Sequence, residues 1–152
     1  MVKLDLKDAF FSVSIHKNYR KYLRFSFCNQ LYEFLCLPFG LCTAPYVFTK
    51  IMKPVLHFLR SIGIILVIYL DDILKIANSR DECLKNLKIS LNLLQFLGFI
   101  INEDKCVFVP TQSYQFLGFV IDTKGFFISL PKEKETKTIN LLNKIINRLS
   151  EL

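Results

Sequence analysis

No stretch of this 152-residue chain approaches the roughly 20 consecutive apolar residues that cross a bilayer. The longest apolar run, Ile62 to Leu70, is about half that length and is closed by a double aspartate, so it reads as a core strand. A basic-then-apolar signal pattern is missing at the N-terminus, where Lys3, Asp5, Lys7 and Asp8 interrupt any apolar run, and no secretory route is implied. The cysteines, Cys28, Cys36, Cys42, Cys83 and Cys106, are odd in number and lack Cys-x-x-Cys spacing, which argues against a disulfide framework or a zinc site. A reducing intracellular compartment is the simplest inference. There is no linker rich in Pro, Gly or Ser, no repeat and no low-complexity tract; only a composition change near Leu130 marks a boundary.

What the chain does have is core material. A hydrophobic content of 52%, with 14% aromatic residues, suffices for one well-packed domain. The net charge of +7, from 20 basic and 13 acidic residues, suits a partner with a phosphate backbone, although many unrelated proteins share that balance.

The most informative segment is Tyr69-Leu70-Asp71-Asp72, which follows Ile62 to Ile68 and precedes Ile73-Leu74. Asp-Asp alone is compatible with a polar hairpin turn. Two adjacent carboxylates between apolar strands otherwise need a counter-charge, and a hard divalent cation with oxygen ligands is the fitting one. A third carboxylate has a matching setting: the alternation in Val2-Lys3-Leu4-Asp5-Leu6 places Asp5 on the strand face opposite Val2, Leu4 and Leu6. A strand bearing Asp5 paired with a hairpin bearing Asp71-Asp72 brings three carboxylates towards one or two metal ions, the site logic of nucleotidyl transfer.

Five short motifs, in order, then resemble the palm of a reverse transcriptase over roughly residues 1–122. They are Lys3 to Phe11, Leu37 to Pro45, Tyr69 to Asp72, Leu97-Gly98-Phe99 through Lys105, and Tyr114 to Phe119, the last resembling the primer grip. The Leu-Pro-Phe-Gly form and the wording from Phe116 to Pro131 look more like retrotransposons of the gypsy or DIRS type than like retroviruses. The resemblance implies an α+β fold, a ferredoxin-like split β-α-β palm over residues 1–130 with a partial fingers hairpin at about 12–36. Residues 131–152 would form a C-terminal helix that starts a thumb. It also implies an RNA-directed DNA polymerase that joins a dNTP to a primer 3′ hydroxyl on an RNA or DNA template, inside the cell.

The resemblance further implies roles residue by residue. Asp5, Asp71 and Asp72 would hold two Mg2+ (or Mn2+) ions, the second Asp of the doublet less directly. Asp8 and Ala9 would present backbone N–H groups to the triphosphate, and Phe10 would be the ring that excludes a 2′-OH, unless it is simply a core aromatic. Phe39 and Gly40 would lie where the incoming nucleotide stacks; many family members have Gln in place of Phe39, so the position carries over without a hydrogen bond. Lys105 would protonate the departing pyrophosphate, or be an ordinary turn lysine. Phe116, Leu117 and Gly118 would hold the primer end. Lys17, Arg20, Lys21 and Arg24, interleaved with Tyr19, Tyr22 and Phe25, have the mixture of cations and rings that tracks a single-stranded template, or else form a solvated face.

Helix and strand signals predict a strand over 1–6, a hairpin from Tyr22 to Phe27 and Gln30 to Leu35, and a helix capped by Thr43 with Pro45 in its first turn. A second helix opens on the capping box Ser79-Arg80-Asp81-Glu82 and stops at Gly98. Strands follow over 100–109, 114–121 and 126–130, then a helix from about Pro131. Because the family's basic fingers segment and full thumb, and often a ribonuclease H domain, flank these motifs, the chain reads as a fragment or a truncated reading frame. A catalytically inactive remnant, or a nucleic-acid-binding module with a palm-like fold, is the alternative reading.

Overall fold

The computed structural model describes residues 1–150, so the last two positions of the helix expected over 131–152 lie outside the described residues. The chain divides into two compact units, Val2–Pro110 and Met1 with Thr111 onward, a division that does not coincide with the composition change at Leu130.

In the larger unit β1 (Val2–Lys7) buries Val2, Leu4 and Leu6, as its alternation requires. Asp8, in the left-handed region at φ 51, turns the chain into a short 3-10 helix, Ala9–Ser12. A second 3-10 helix, Lys17–Leu23, leads to the exposed hairpin of β2 (Arg24–Phe27) and β3 (Gln30–Glu33), closed by Cys28 and Asn29, both at positive φ. The helix α1 (Ala44–Ser61) carries a buried stripe of Ala44, Phe48, Met52, Val55 and Leu59. Thr43 stands at its N-cap position, but its backbone is already helical (φ −86, ψ −11) and its hydroxyl makes no cap bond. Pro45 in the first turn carries the start instead. Gly63, at φ +84, ends the helix: its N–H donates to Arg60 O and that of Ile64 to Leu59 O.

The strands β4 (Ile65–Tyr69) and β5 (Asp72–Ile76) then form a hairpin, followed by α2 (Arg80–Phe96) and the short β6 (Ile100–Ile101). Ser79 Oγ accepts from Glu82 N at 3.1 Å, whereas Glu82 Oε2 accepts from Asn78 N at 3.0 Å, one residue upstream of an ideal capping box. The sheet order β4-β5-β1-β6 is antiparallel throughout. With α1 and α2 this is the expected β-α-β-β-α-β order, the β2–β3 hairpin being inserted between β1 and α1. One core cluster joins Val2, Leu4, Leu6, Leu66 and Ile73 of the sheet to Phe48, Met52, Leu59, Leu87 and Leu94 of the helices.

Three strand expectations need correction, two of them in this unit. Ile62–Gly63 belongs to the end of α1, and β4 is an edge strand with Leu66 buried but Ile65, Val67 and Tyr69 exposed, so the apolar run is not buried on both faces. The strand expected over 100–109 is interrupted after Ile101, because Asn102 N donates to Asp5 O at 2.9 Å and Glu103–Lys105 coil into a 3-10 turn; only Val107 rejoins, by a bridge to Lys3.

The smaller unit contains a meander of β7 (Ser113–Phe116), β8 (Phe119–Asp122) and β9 (Phe127–Ser129), and α3 (Lys132–Ser150). The strand expected over 114–121 is two strands. Leu117 and Gly118, at φ 49 and φ 83, form the two-residue turn between them.

Candidate active site

The register of the larger unit's sheet builds the site. Asp5 in β1 lies directly opposite Asp72 in β5, and Tyr69 pairs with Asp72, leaving Leu70 and Asp71 as a two-residue turn. Leu70 takes φ 55, a conformation costly for a branched side chain, and that side chain lines a cavity of about 110 Å³ with Phe48, Met52, Leu56 and Ile68. The Asp71 carbonyl accepts from Leu6 N at 3.0 Å, which ties the turn to β1.

Asp5 is 3% exposed, and its Oδ1 has no hydrogen-bond partner among the described residues. Its backbone N–H donates to Cys106 Sγ at 3.2 Å, and burial pushes the Cys106 thiol up from its ordinary value. Burial also pushes the Asp5 carboxyl up. The Lys3 and Lys105 ammonium groups oppose that shift, and the Asp71 and Asp72 carboxylates add to it. Lys105 therefore acts on Asp5 electrostatically from the 3-10 turn that wraps the Asp5 carbonyl. Like charges directly opposite on paired strands repel. Here a side chain that sequence reasoning missed relieves the repulsion: Lys3 Nζ lies 2.7 Å from Asp72 Oδ1 and 3.6 Å from Asp5 Oδ2. Its signal was available, since residues two apart on a strand share a face. Among the described residues no three His, Cys, Asp or Glu side chains form a ready metal-binding group.

Phe10 and Phe39 come together, with ring centroids 5.4 Å apart and edge-on, and Phe10 also meets core Phe48 at 5.5 Å. Phe11 meets Phe39 at 5.1 Å. Gly40 takes φ +86 with no atom within 4 Å of a would-be Cβ, so its glycine answers a need for conformation rather than for space. Asp8 and Ala9 form the turn between β1 and Phe10. The basic residues near the hairpin are partly committed: Arg20 Nε donates to Ile15 O at 3.0 Å, Arg24 Nε is 3.0 Å from Glu33 Oε2, and Lys21 lies over the Tyr22 ring, while Lys17 opens the 3-10 helix. Phe116, Leu117 and Gly118 lie in the smaller unit, with Phe116 buried and the other two in the turn; Lys134 Nζ is 3.5 Å from Gly118 O.

A family described as reverse transcriptase (RNA-dependent DNA polymerase) matches residues 1–121. The chain belongs to the reverse transcriptase family. The Tf2-3 transposon polyprotein of Schizosaccharomyces pombe is 35% identical over 124 residues, covering 82% of this chain and 9% of that protein. The Pol polyprotein from transposon opus of Drosophila melanogaster is 34% identical over 122 residues, covering 80% of this chain and 12% of that protein. The reverse transcriptase is thus of retrotransposon type, and the chain spans about a tenth of the length of these relatives. A foamy viral protease-reverse transcriptase, solved with an RNA/DNA hybrid, matches with a TM-score of 0.79 at 26% identity, covering 91% of this chain and 18% of that one. The same viral protein with double-stranded DNA matches at 0.80. The α+β polymerase palm is therefore the fold, and the chain is by family a nucleotidyltransferase. No helix among the described residues is long and apolar enough to cross a membrane.

Proposed function

We propose that this reverse transcriptase domain carries a polymerase centre on Asp5, Asp71 and Asp72 that extends a primer 3′ hydroxyl with dNTPs on an RNA or DNA template. The observation that carries the reading is the register setting Asp5 opposite Asp72, with Asp71 in the adjoining turn, inside a palm fold. The donor set fits Mg2+ or Mn2+: the oxygens are hard, the buried Asp5 Oδ1 is unpartnered among the described residues, and an ammonium already stands against Asp5 and Asp72. Two such ions, held by Asp5, Asp71 and Asp72, would supply activation of the 3′ hydroxyl and charge neutralisation at the leaving pyrophosphate.

The chain's own residues complete the proposal. Lys105 donates a proton towards the pyrophosphate from the turn beside Asp5. The turn at Asp8 and Ala9 offers backbone N–H groups to the triphosphate. Phe39 and Gly40 border the nucleotide; Phe116, Leu117 and Gly118 hold the primer; Lys17, Arg20, Lys21 and Arg24 face the template, with Arg24 also held by Glu33. Further segments of a parent polyprotein, such as fingers, thumb or a ribonuclease H domain, would act alongside.

Phe10 is backed by Phe48 and flanked by Phe39, which supports a fixed ring at the sugar. Phe10→Val is expected to lower the preference for dNTP over rNTP by on the order of tenfold or more, as pocket substitutions of this size do. An unchanged kcat/KM ratio for the two nucleotides would remove the gate role. The whole reading is tested by primer extension on poly(rA)/oligo(dT) with dTTP and Mg2+ or Mn2+, against an Asp71→Asn, Asp72→Asn double variant. Extension by the native chain and none by the variant is expected. No extension by a folded native chain would favour the inactive palm-like module.

A further inference from the structure

The strand that supplies Asp5 also supplies a cation. Lys3 and Asp5 are two apart on β1 and share its polar face, and Asp72 stands opposite Asp5. The Lys3 ammonium reaches both carboxylates, at 2.7 Å and 3.6 Å. We infer that Lys3 is a placeholder cation, which holds Asp5 and Asp72 face to face without metal and must swing out before a divalent ion takes their oxygens. The inference rests on the metal-binding reading above and goes beyond it by naming a residue that sets the ion threshold.

Three observations support it. First, the two facing carboxylates need neutralising in either state, and a monovalent and a divalent cation competing for the same oxygens cannot both be satisfied. Secondly, the Lys3 side chain is 15% exposed, so it is not sealed in the core. Thirdly, a lysine is a compact point charge on a flexible four-carbon chain, able to leave without moving the strand, unlike the forked grip of an arginine. The Lys3 backbone meanwhile stays pinned, its N–H donating to Val107 O at 3.1 Å and its carbonyl accepting from Val107 N at 2.8 Å. The withdrawal is therefore a side-chain event. Its consequence is a site that resists divalent ions at low concentration and keeps its carboxylates juxtaposed meanwhile.

The test is Mn2+ binding to the full chain, read from the electron paramagnetic resonance signal of the free ion, for native protein, Lys3→Met and Asp5→Asn. Lys3→Met is expected to bind Mn2+ about tenfold more tightly than native, a ratio equivalent to about 1.4 kcal/mol. It should also melt lower without metal and gain more from it. Equal or weaker binding by Lys3→Met, with native binding present and lost in Asp5→Asn, would overturn the placeholder role and leave the metal site standing. Absence of binding to both native and Lys3→Met would overturn the metal site itself. Should Lys3→Met not fold, the native chain decides: Mg2+ should speed acetylation of Lys3 by limiting acetic anhydride several-fold, seen by mass spectrometry, and not in Asp5→Asn. An unchanged or slower rate would refute the displacement.

Discussion

Replacing Lys75 with methionine is expected to stabilise the chain by up to about 3 kcal/mol at pH 7, because this lysine is buried within the core. Lys75 is 1% exposed in β5, between Val2 and Leu66 on the neighbouring strands, and among the described residues its Nζ donates only a long hydrogen bond, 3.4 Å, to Asn86 O. Burial drives its pKa down from 10.5 to about 8, with a small opposing effect from Cys83. The folded state thus disfavours the charged form. Below about pH 8 both folded and unfolded chains carry the proton, and the native protein bears the full penalty. Between about 8 and 10.5 the unfolded chain binds more protons than the folded one, so stability rises with pH and the penalty disappears. Lys75→Met lacks this group and should lack its contribution. The difference between native and variant unfolding free energies, from denaturant melts, should therefore shrink from about 3 kcal/mol towards zero across that window. A difference that stays constant with pH would mean that methionine packing, and not the ammonium, accounts for any gain.

Lys75 also shows what the sequence hides. Val2 to Leu6 announces its strand by alternation, Ser79 to Glu82 and Gly98 bracket α2, and the five motifs place Asp5, Asp71 and Asp72 within one sheet, because these signals are local. The burial of Lys75 is decided by α2 lying over β5, a tertiary arrangement that one lysine in an apolar run does not report. The same holds for 100–109, whose apolar residues suit a strand until the bond from Asn102 to the Asp5 carbonyl curls the chain at Glu103. Leu117 is no turn residue by propensity, yet with Gly118 it turns between β7 and β8; the cross-strand pair Phe116 with Phe119 fixes a register that leaves two residues to close the hairpin. Of the site, the resemblance named Phe10 and Phe39 separately without setting one ring against the other, and the sequence puts Lys3 on the strand face of Asp5, whereas its place between two carboxylates emerges only when β5 is set beside β1.

Asp5→Asn should separate activity from stability. Burial and the nearby Asp71 and Asp72 push the Asp5 carboxyl up despite Lys3 and Lys105, so the folded chain favours its neutral form. A neutral amide of the same shape carries no charge for burial to penalise and should thus leave the chain at least as stable at pH 7. The new amide group has a use as well: Asp5 Oδ1 is buried and unpartnered among the described residues, and Asp72 stands opposite on the paired strand, so an amide here brings a donor to a place rich in acceptors. Extension of poly(rA)/oligo(dT) should at the same time fall by on the order of a thousandfold, about 4 kcal/mol, the scale of charge stabilisation that a metal-binding carboxylate underwrites. Thermal melts and extension assays on the same preparation read both effects. A variant that melts well below native would make Asp5 a structural partner of Lys3 first. A stable variant with native extension would move the chemistry off β1. The expected pairing, stability kept and synthesis lost, is what a buried carboxylate retained for catalysis at a cost to folding should produce.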